Sequence, residues 1–541
     1  MVIVQSKLFQ DETIETVADS YKGIYAMHKY WGKKPFNLIS SFICNYTKPK
    51  EVVLDPFCGS GVTAIEAIKN NRLGVTFDIN PIAIQLTKVS LTPISISEVE
   101  REYKKMKLEL EGKINSLYES RCPYCGQIVY TSHMIWDKDE PIEVWFKCNC
   151  KKGKIVRSAT TQDKQDSINP YLKPLPYPDS DMIPNSRINI SGGQKVSDLF
   201  TPRALVGLSY IRDYIDRIEN HSVKDIMEIV LTGALSQASK LVFVIRNRKN
   251  KQGIDKGAEV GSWVAGYWVP EEHFEINVWN CFENRFSRVK KGLSEINSIF
   301  RTPPTIADHY IENGIDGVVG LGSATKINMP DNSVDYVFTD PPHVNRVLYL
   351  EMSLMWNTWL GKKDIDWDEE IVISESKERC KDFKDYYNLL NSAISEIGRV
   401  LKLGKVFSIA FNSLDDCEWK ALFDVCTRNG FRVTEIRPLE YSATSVMQDN
   451  RKNALKTDFV LSFVNEKKIM PDLEIDSSKE HVNTLVEDIL KVRPMKTYEV
   501  INEAMIRTVS TGRFMPPGVV IDALDASPIT TYNNYTWTIT H

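Results

Sequence analysis

The chain of 541 residues contains no run of about 18 apolar residues, so no membrane span is expected. Its start, "MVIVQSKLFQDETIETV", lacks the basic start and apolar stretch of a secretion signal, and a cytoplasmic location is the expectation. Positive charge is not in excess: 67 Lys and Arg stand against 71 Asp and Glu, for a formal net charge of −4. The whole surface therefore cannot be a nucleic-acid-binding one, and any contact with DNA must come from local patches. Ten cysteines in so long a chain read as reduced thiols or metal ligands, not as a disulfide framework. There is no internal repeat. Apolar residues make up 42% and charged residues 26%, which is the composition of a globular protein with room for about three domains.

What is present is an alternation of strand and helix. "EVVLD" (51–55) reads as a short buried strand, "PFCGSG" as a loop, "VTAIEAIKNN" as a helix and "LGVTFD" as a second strand, with "NPIAIQLTKVSL" opening a second helix. This pattern predicts a parallel sheet of βαβ type. Ser97 and Glu100 have capping-box spacing, and Val99, Tyr103, Met106, Leu110, Ile114 and Leu117 keep helical spacing behind them. Residues 158–198 are rich in Ser, Asp, Asn and Pro and read as a linker or long surface loop. From 334 the alternation resumes with "VDYVFTD", a helix near 383–401, "KVFSIAF", a helix near 417–429, and the strands "FRVTEIRPL" and "FVLSFV". No helix separates the last two strands, which predicts an antiparallel pair. The sheet is thus written in two halves around a long insertion. The expected organisation is an arm and first half over 1–118, a ribbon over 119–157, a linker and helical region over 158–305, a second half over 306–466, and a C-terminal segment over 467–541 with helix around 480–508.

Two loops carry chemistry. In "DPFCGSG" (55–61), Gly59 and Gly61 let the backbone turn sharply and approach a ligand, and the following helix aims its N–H groups there. A tight strand–helix turn would explain the glycines alone. Asp55, however, disfavours a phosphate by like charge, and Asp78 ends the second strand where a carboxylate can hold both hydroxyls of a ribose. A nucleoside bearing a positive sulfonium, S-adenosylmethionine, suits both acids. In "TDPPH" (339–343) two prolines stiffen the backbone directly after a carboxylate at the end of a buried strand.

These motifs resemble those of DNA amino-methyltransferases, which methylate the exocyclic amine of adenine or cytosine. "DPFCGSG", "FDINP" and "TDPPH" carry the resemblance. "HKYWGKKPFNLISSFI" (28–43) looks like the family segment that closes over the methionine end of the cofactor. "VLYLEMSLMWNTWLG" and "CPYCG" are similar to a subgroup of bacterial DNA methylases with an inserted zinc ribbon. The resemblance implies a Rossmann-like α/β sheet of the class I methyltransferase type, split by a zinc-ribbon and helical insertion, and a small C-terminal helical segment. It implies cofactor contacts from Asp55, Pro56, Phe57, Gly59, Gly61, Asp78, Ile79, Lys29 and Trp31. It implies catalysis at Asp340, Pro341, Pro342 and His343 on a base flipped out of double-stranded DNA, more often adenine N6 than cytosine N4, in a restriction-modification or phage-defence setting. A cognate nuclease or other defence subunit is a further expected partner; a membrane is not. An exocyclic amine is a poor nucleophile, because its lone pair is delocalised into the ring. Asp340 and the Pro341 carbonyl can accept its two hydrogens, at a geometry the prolines fix in advance. Two positions depart from the family: His343 stands where an aromatic residue usually stacks on the base, and Ser323 where an acid often stands near the adenine.

Two features remain. "RNRKNK" supplies Arg246, Arg248, Lys249 and Lys251, and "RFSRVKK" (285–291) four more cations; both are candidate DNA contacts or solvated faces. The aromatics between them, among them Trp279, Phe282 and Phe286, are expected to be mostly core. Cys122 and Cys125 in "CPYCG", with Cys148 and Cys150 in "CNC", have the spacing of a closed structural Zn2+ site. Two other readings stay open: a methyltransferase acting on RNA or protein, and a DNA-binding scaffold with a degenerate methylase core.

Overall fold

The computed structural model describes residues 18–539 except 170–171, 247–256, 264–265, 307–316, 345, 414, 440–457, 470–471, 510, 527–529 and 534–535. Its centre is an eight-stranded sheet. In chain order the strands are β1 (Val52–Asp55), β2 (Leu73–Asp78), β3 and β4 (Glu119–Arg121 and Ile128–Tyr130, a separate hairpin), β5 (His133–Asp137), β6 (Glu140–Cys148), β7 (Lys151–Ser158), β8 (Val242–Ile245), β9 (Glu259–Trp263), β10 (Glu272–Ile276), β11 (Thr305–Ile306), β12 (Gly317–Leu321), β13 (Val334–Thr339), β14 (Leu401–Phe411), β15 (Phe431–Leu439) and β16 (Asp458–Asn465). The large sheet runs β11-β12-β2-β1-β13-β14-β16-β15. Every pairing from β11 to β14 is parallel; β16 is antiparallel to both of its neighbours. The expected antiparallel pair is therefore present, with the later strand inserted between β14 and β15.

Strands buried on both faces read as unbroken apolar runs. In β14, Phe407, Ile409 and Phe411 face one core while Val406 and Ala410 face the other. Helices Phe36–Tyr46, Val62–Lys69 and Pro81–Leu91 cover the second of these cores, and helices Phe383–Val400 and Asp416–Arg428 cover the first. The C-terminal segment joins the first core through Val482, Val486, Val500 and Ile501, on helices Lys479–Leu490 and Thr497–Val509. No helix among the described residues is long and apolar enough to cross a membrane. The 96–116 helix begins two residues before the predicted cap: Ser95, not Ser97, accepts from the Glu98 N–H. The "SISEVE" sequence offers the same Ser-to-Glu spacing in two registers.

The insertion does not divide at 157/158. A second sheet, β7-β6-β5-β10-β8-β9, is antiparallel throughout and joins ribbon strands to strands from the helical region. One buried ion pair ties them. Glu275 on β10 accepts from Arg203 Nε at 2.7 Å and Nη2 at 2.8 Å, from Trp136 Nε1 at 2.9 Å and from Thr201 Oγ1 at 2.6 Å. Removing one partner of such a pair strands a charge in the core. Arg203→Ala should destabilise the transition that unfolds the insertion by about 3–5 kcal/mol, read from denaturant midpoints, whereas a loss under about 1 kcal/mol would show that the pair contributes little.

Candidate active site

The site grows from one strand pairing. β1 lies parallel to β13, with Val53 opposite Tyr336 and Leu54 opposite Val337. The loops after both strands thus leave the same edge of the sheet, where such folds bind ligands. The Thr339 hydroxyl donates to Asp55 Oδ1 at 2.7 Å and stitches the two strand ends together. Asp55 Oδ1 also accepts from the Phe57 N–H, which folds the loop back on its own carboxylate.

Asp78 holds the same loop from the other side. Its Oδ2 accepts from the Gly59 N–H at 2.9 Å and its Oδ1 from the Asn80 N–H at 2.8 Å. Gly59 has φ of +51°, and a Cβ there would lie 2.9 Å from the Tyr30 ring, so no other residue fits without movement. Burial pushes the Asp55 carboxyl up to about 6 and the Asp78 carboxyl up to about 7, even though hydrogen bonds to both favour the charged form.

Between these loops lies a cavity of about 840 Å³ including its mouth and the solvent in it. Asp55, Pro56, Phe57, Gly59, Asp78, Ile79, Trp31, Asp340 and Pro342 line it, so most of the expected site residues meet in one place. Gly61, Pro341, His343 and Lys29 are not on its wall. Gly61, at φ of +78°, caps the following helix against Thr87. Lys29 lies over the Trp263 ring at 4.1 Å.

Asp340 is held more firmly than the prolines alone would hold it. Lys34, itself 8% exposed, reaches Asp340 Oδ1 at 3.2 Å and Asp458 Oδ2 at 2.9 Å. His343 Nε2 lies 3.3 Å from the same Asp340 oxygen and 3.2 Å from the Ala410 carbonyl, and the ring packs edge-on against Phe411. This turns the imidazole inward, away from the position that stacking on a base would need. Tyr349, beside Gly32, is one of the rings that line the cavity instead. Val344, a β-branched residue, takes φ of +49°, so backbone strain of about 1–3 kcal/mol sits directly behind the motif.

Sequence reasoning missed Lys34, Tyr349, Glu369 and Glu370, all cavity residues. Lys34 had a signal: it lies in an apolar segment, and a lysine there needs a buried anion. The glutamates had none, because their segment carries no motif. Glu369 accepts from the Ser323 hydroxyl at 2.6 Å. The position that lacks an acid thus holds one from another segment against the cavity. Glu370 is buried, receives the Leu350 N–H at 2.9 Å and pairs with Arg379, and burial pushes its carboxyl up to about 7.

A DNA methylase family model matches residues 5–89. That stretch contains the Gly-rich loop, Asp78 and the arm with Trp31 and Lys34, and the match supports a DNA methyltransferase family. No curated protein matches. Among solved structures, the complex between the Haloferax volcanii Trm112 methyltransferase activator and a methyltransferase aligns at 13% identity and a TM-score of 0.15; 28% of this chain and 63% of that chain, under two thirds, are covered.

In the basic runs, Arg288 and Lys291 are exposed with no ion pair among the described residues, and the other described cations are engaged. Arg246 pairs with Glu272 at 2.7 Å; Arg248, Lys249 and Lys251 lie outside the described residues. Arg285 is turned inward onto the Met27 carbonyl, and Lys290 pairs with Glu100 at 3.0 Å. Trp279, Phe282 and Phe286 are core, as expected. The four ribbon cysteines converge: their sulfurs lie within 4.8 Å of one another, with Cys122 and Cys150 at 3.5 Å and Cys125 and Cys148 at 3.6 Å. Metal–sulfur bonds of about 2.3 Å in a tetrahedron put sulfurs about 3.8 Å apart, so the set can hold a metal ion. The Gly126 N–H donates to the Cys122 carbonyl and shapes the first knuckle.

Proposed function

We propose that the protein transfers a methyl group from S-adenosylmethionine to the exocyclic amine of a base flipped out of DNA, adenine before cytosine. The observation that carries this reading is the single cavity in which the acids of the Gly-rich loop, of β2 and of "TDPP" meet. The residues fit the cofactor. Asp78 offers a carboxylate for ribose hydroxyls, Gly59 a close approach to backbone, Trp31 and Phe57 apolar walls, and Asp55 a negative charge that attracts a sulfonium. When bound, the cofactor supplies an electrophilic methyl group.

The chain's own residues prepare the nucleophile. The Asp340 carboxylate accepts one amine hydrogen and a backbone carbonyl of the proline pair accepts the other, which draws the nitrogen lone pair out of the ring. Lys34 and His343 fix the carboxylate before the base arrives, so little reorganisation is left for the transition state. The Tyr386 hydroxyl donates to the Pro342 carbonyl at 3.4 Å and braces the loop from behind. The four cysteines hold a structural Zn2+ in this reading, with no position open for chemistry. The deciding experiment is methyl transfer from labelled cofactor to DNA, RNA and protein in parallel, followed by mapping of the modified base; label in RNA or protein but not in DNA rejects the substrate.

Three outcomes are expected. Asp340→Ala should retain cofactor binding and lose methyl transfer by about 10² or more, because Lys34 keeps Asp458 as its partner while the acceptor is gone. Turnover near that of the parent enzyme would remove Asp340 from the mechanism. The second outcome concerns pH. The Asp55 and Asp78 carboxyls titrate at about 6 and about 7 in the folded chain, above their ordinary value near 4. The extra protons held by the folded state make a contribution to stability that is complete below about pH 4 and is lost as pH rises from there through about 6–7. A sulfonium and ribose hydroxyls favour the carboxylates, so cofactor affinity should rise with pH through about 6–7 and fall about tenfold per unit below it for each linked proton. Calorimetric binding across that range tests this, and affinity independent of pH would show that neither acid touches the ligand. Third, protein purified without chelators should contain about one zinc per chain, and Cys148→Ser should release it and loosen the ribbon to proteolysis; elemental analysis that finds no metal would leave the cysteines as plain thiols.

A further inference from the structure

The ribbon carries a feature that the cavity does not use. The β6–β7 hairpin ends in "KCNCKKGK", and Lys147, Lys151, Lys152 and Lys154 are all exposed there. None of the four is ion-paired to a carboxylate among the described residues. Lys151 leans on Tyr124, its ammonium 3.0 Å from the phenol oxygen and 4.5 Å from the ring centre. Lys154 stands 3.4 Å over the Trp145 ring. The acids of the same sheet are placed or engaged elsewhere: Asp137, Asp139 and Glu140 are at the opposite turn of β6, where Glu140 is paired with Lys164, Glu143 accepts from Trp145 Nε1, and Glu272 and Glu275 are paired with Arg246 and Arg203.

In the register of this hairpin Lys147 and Lys154 are direct cross-strand partners. Like charges placed opposite one another weaken an antiparallel pair. Here both positions are lysine, with two more lysines at the turn. A zinc ion on four thiolates carries a net charge of about −2, which the four lysines outweigh. On a chain with formal charge of −4, this is a local cationic edge.

The same sheet leads back to the cavity. Its far edge, β9, ends at Trp263, whose ring lies 5.2 Å from Trp31 on the cavity wall. Five strand spacings of about 4.8 Å carry β7 about 24 Å across the sheet from β9, and the register sets Lys147 and Lys154 four residues, about 13 Å, farther along the strands than Trp263, for a separation of about 27 Å. At about 3.4 Å per base pair that is about eight base pairs of duplex, less than one helical turn.

We infer that the lysine-bearing tip of the β6–β7 hairpin grips the phosphate backbone of double-stranded DNA whose target base enters the cavity. The inference rests on the proposed function for its substrate. The contact is electrostatic and independent of sequence, and it supplies a phosphate grip besides any from the exposed Arg288 and Lys291, since Arg246, Arg285 and Lys290 are paired or turned inward. Lys151 on Tyr124 and Lys154 on Trp145 hold their ammonium groups at fixed places, so less side-chain freedom is lost on binding.

The test uses the full-length zinc-loaded protein and a mixed-sequence duplex, with affinity measured by fluorescence anisotropy at several salt concentrations. The comparison is between the parent, the triple variant Lys151→Gln, Lys152→Gln, Lys154→Gln, and the matching Lys→Arg triple. The slope of log affinity against log salt should flatten by about 0.9 for each phosphate no longer neutralised, about 2 to 3 in total, and affinity should fall about tenfold or more. The arginine triple should keep the parent slope. Zinc content should be unchanged and kcat retained, with KM for DNA raised. A glutamine triple with the parent's slope and affinity overturns the inference, as does one that loses its zinc, because the lysines would then serve the metal site. Tighter, lysine-dependent binding to single-stranded RNA or to anionic phospholipid vesicles overturns the choice of duplex DNA. A parent that binds no DNA overturns the inference as well. A parent that binds duplex through these lysines but transfers no methyl group upholds the inference and rejects the proposed function alone.

Discussion

Everything in the candidate site depends on the parallel pairing of β1 with β13. Residues 53 and 336 are brought into register across the whole insertion. Closing so long a loop has an entropic cost that grows only logarithmically with length, so a long insertion is tolerated once the strands bury enough apolar surface. All of β13 is buried, and so is all of β1. The pairing sets the two loops side by side, and the Thr339–Asp55 hydrogen bond fixes their offset. A slip of one residue would turn Asp340 from the cavity toward the sheet face, because side chains alternate along a strand.

The second constraint is electrostatic. Asp55, Asp78, Asp340, Glu369 and Glu370 all line one partly enclosed space. Carboxylates brought together away from water raise one another's affinity for protons or demand cations. The fold meets part of this demand from within, with Lys34 on Asp340 and Arg379 on Glu370. Asp55 and Asp78 are left with backbone and hydroxyl donors and, among the described residues, no side-chain cation, and their titration is displaced upward accordingly. A cavity in this condition favours a ligand that brings positive charge and hydroxyl groups and disfavours a phosphate.

Much of this was legible in the sequence, for identifiable reasons. The parallel order of β1, β2 and β13 followed from buried apolar runs separated by helical periods. The Cys122, Cys125, Cys148 and Cys150 set followed from spacing, since a metal imposes its geometry on nearby residues. The joining of the ribbon and the helical region in one sheet was not legible. β8, β9 and β10 are short and sit among helices, and their pairing with the ribbon depends on Arg203 and Glu275, two charges whose meeting no local pattern announces. Charge in a sequence does not show its partners: Arg246 has Glu272, whereas Lys147, Lys151, Lys152 and Lys154 of the ribbon have no carboxylate partner among the described residues, although there the cysteines drew the reading toward metal alone.

The two departures from the family pattern are instructive for the same reason. Motifs record which residue stands at a position, whereas chemistry requires only that a group stand at a place. Ser323 lacks a carboxylate but donates to Glu369, so an acid still borders the cavity. His343 is not on the cavity wall, yet its ring contacts Asp340, and Tyr349 lines the wall. In each case the substitution at the motif position is accompanied by a polar contact from the new side chain to a residue that carries the charge. Loss of the motif residue therefore does not by itself mean loss of the site. The degenerate-core reading drew its weight from these two positions, and each of them contacts a cavity acid.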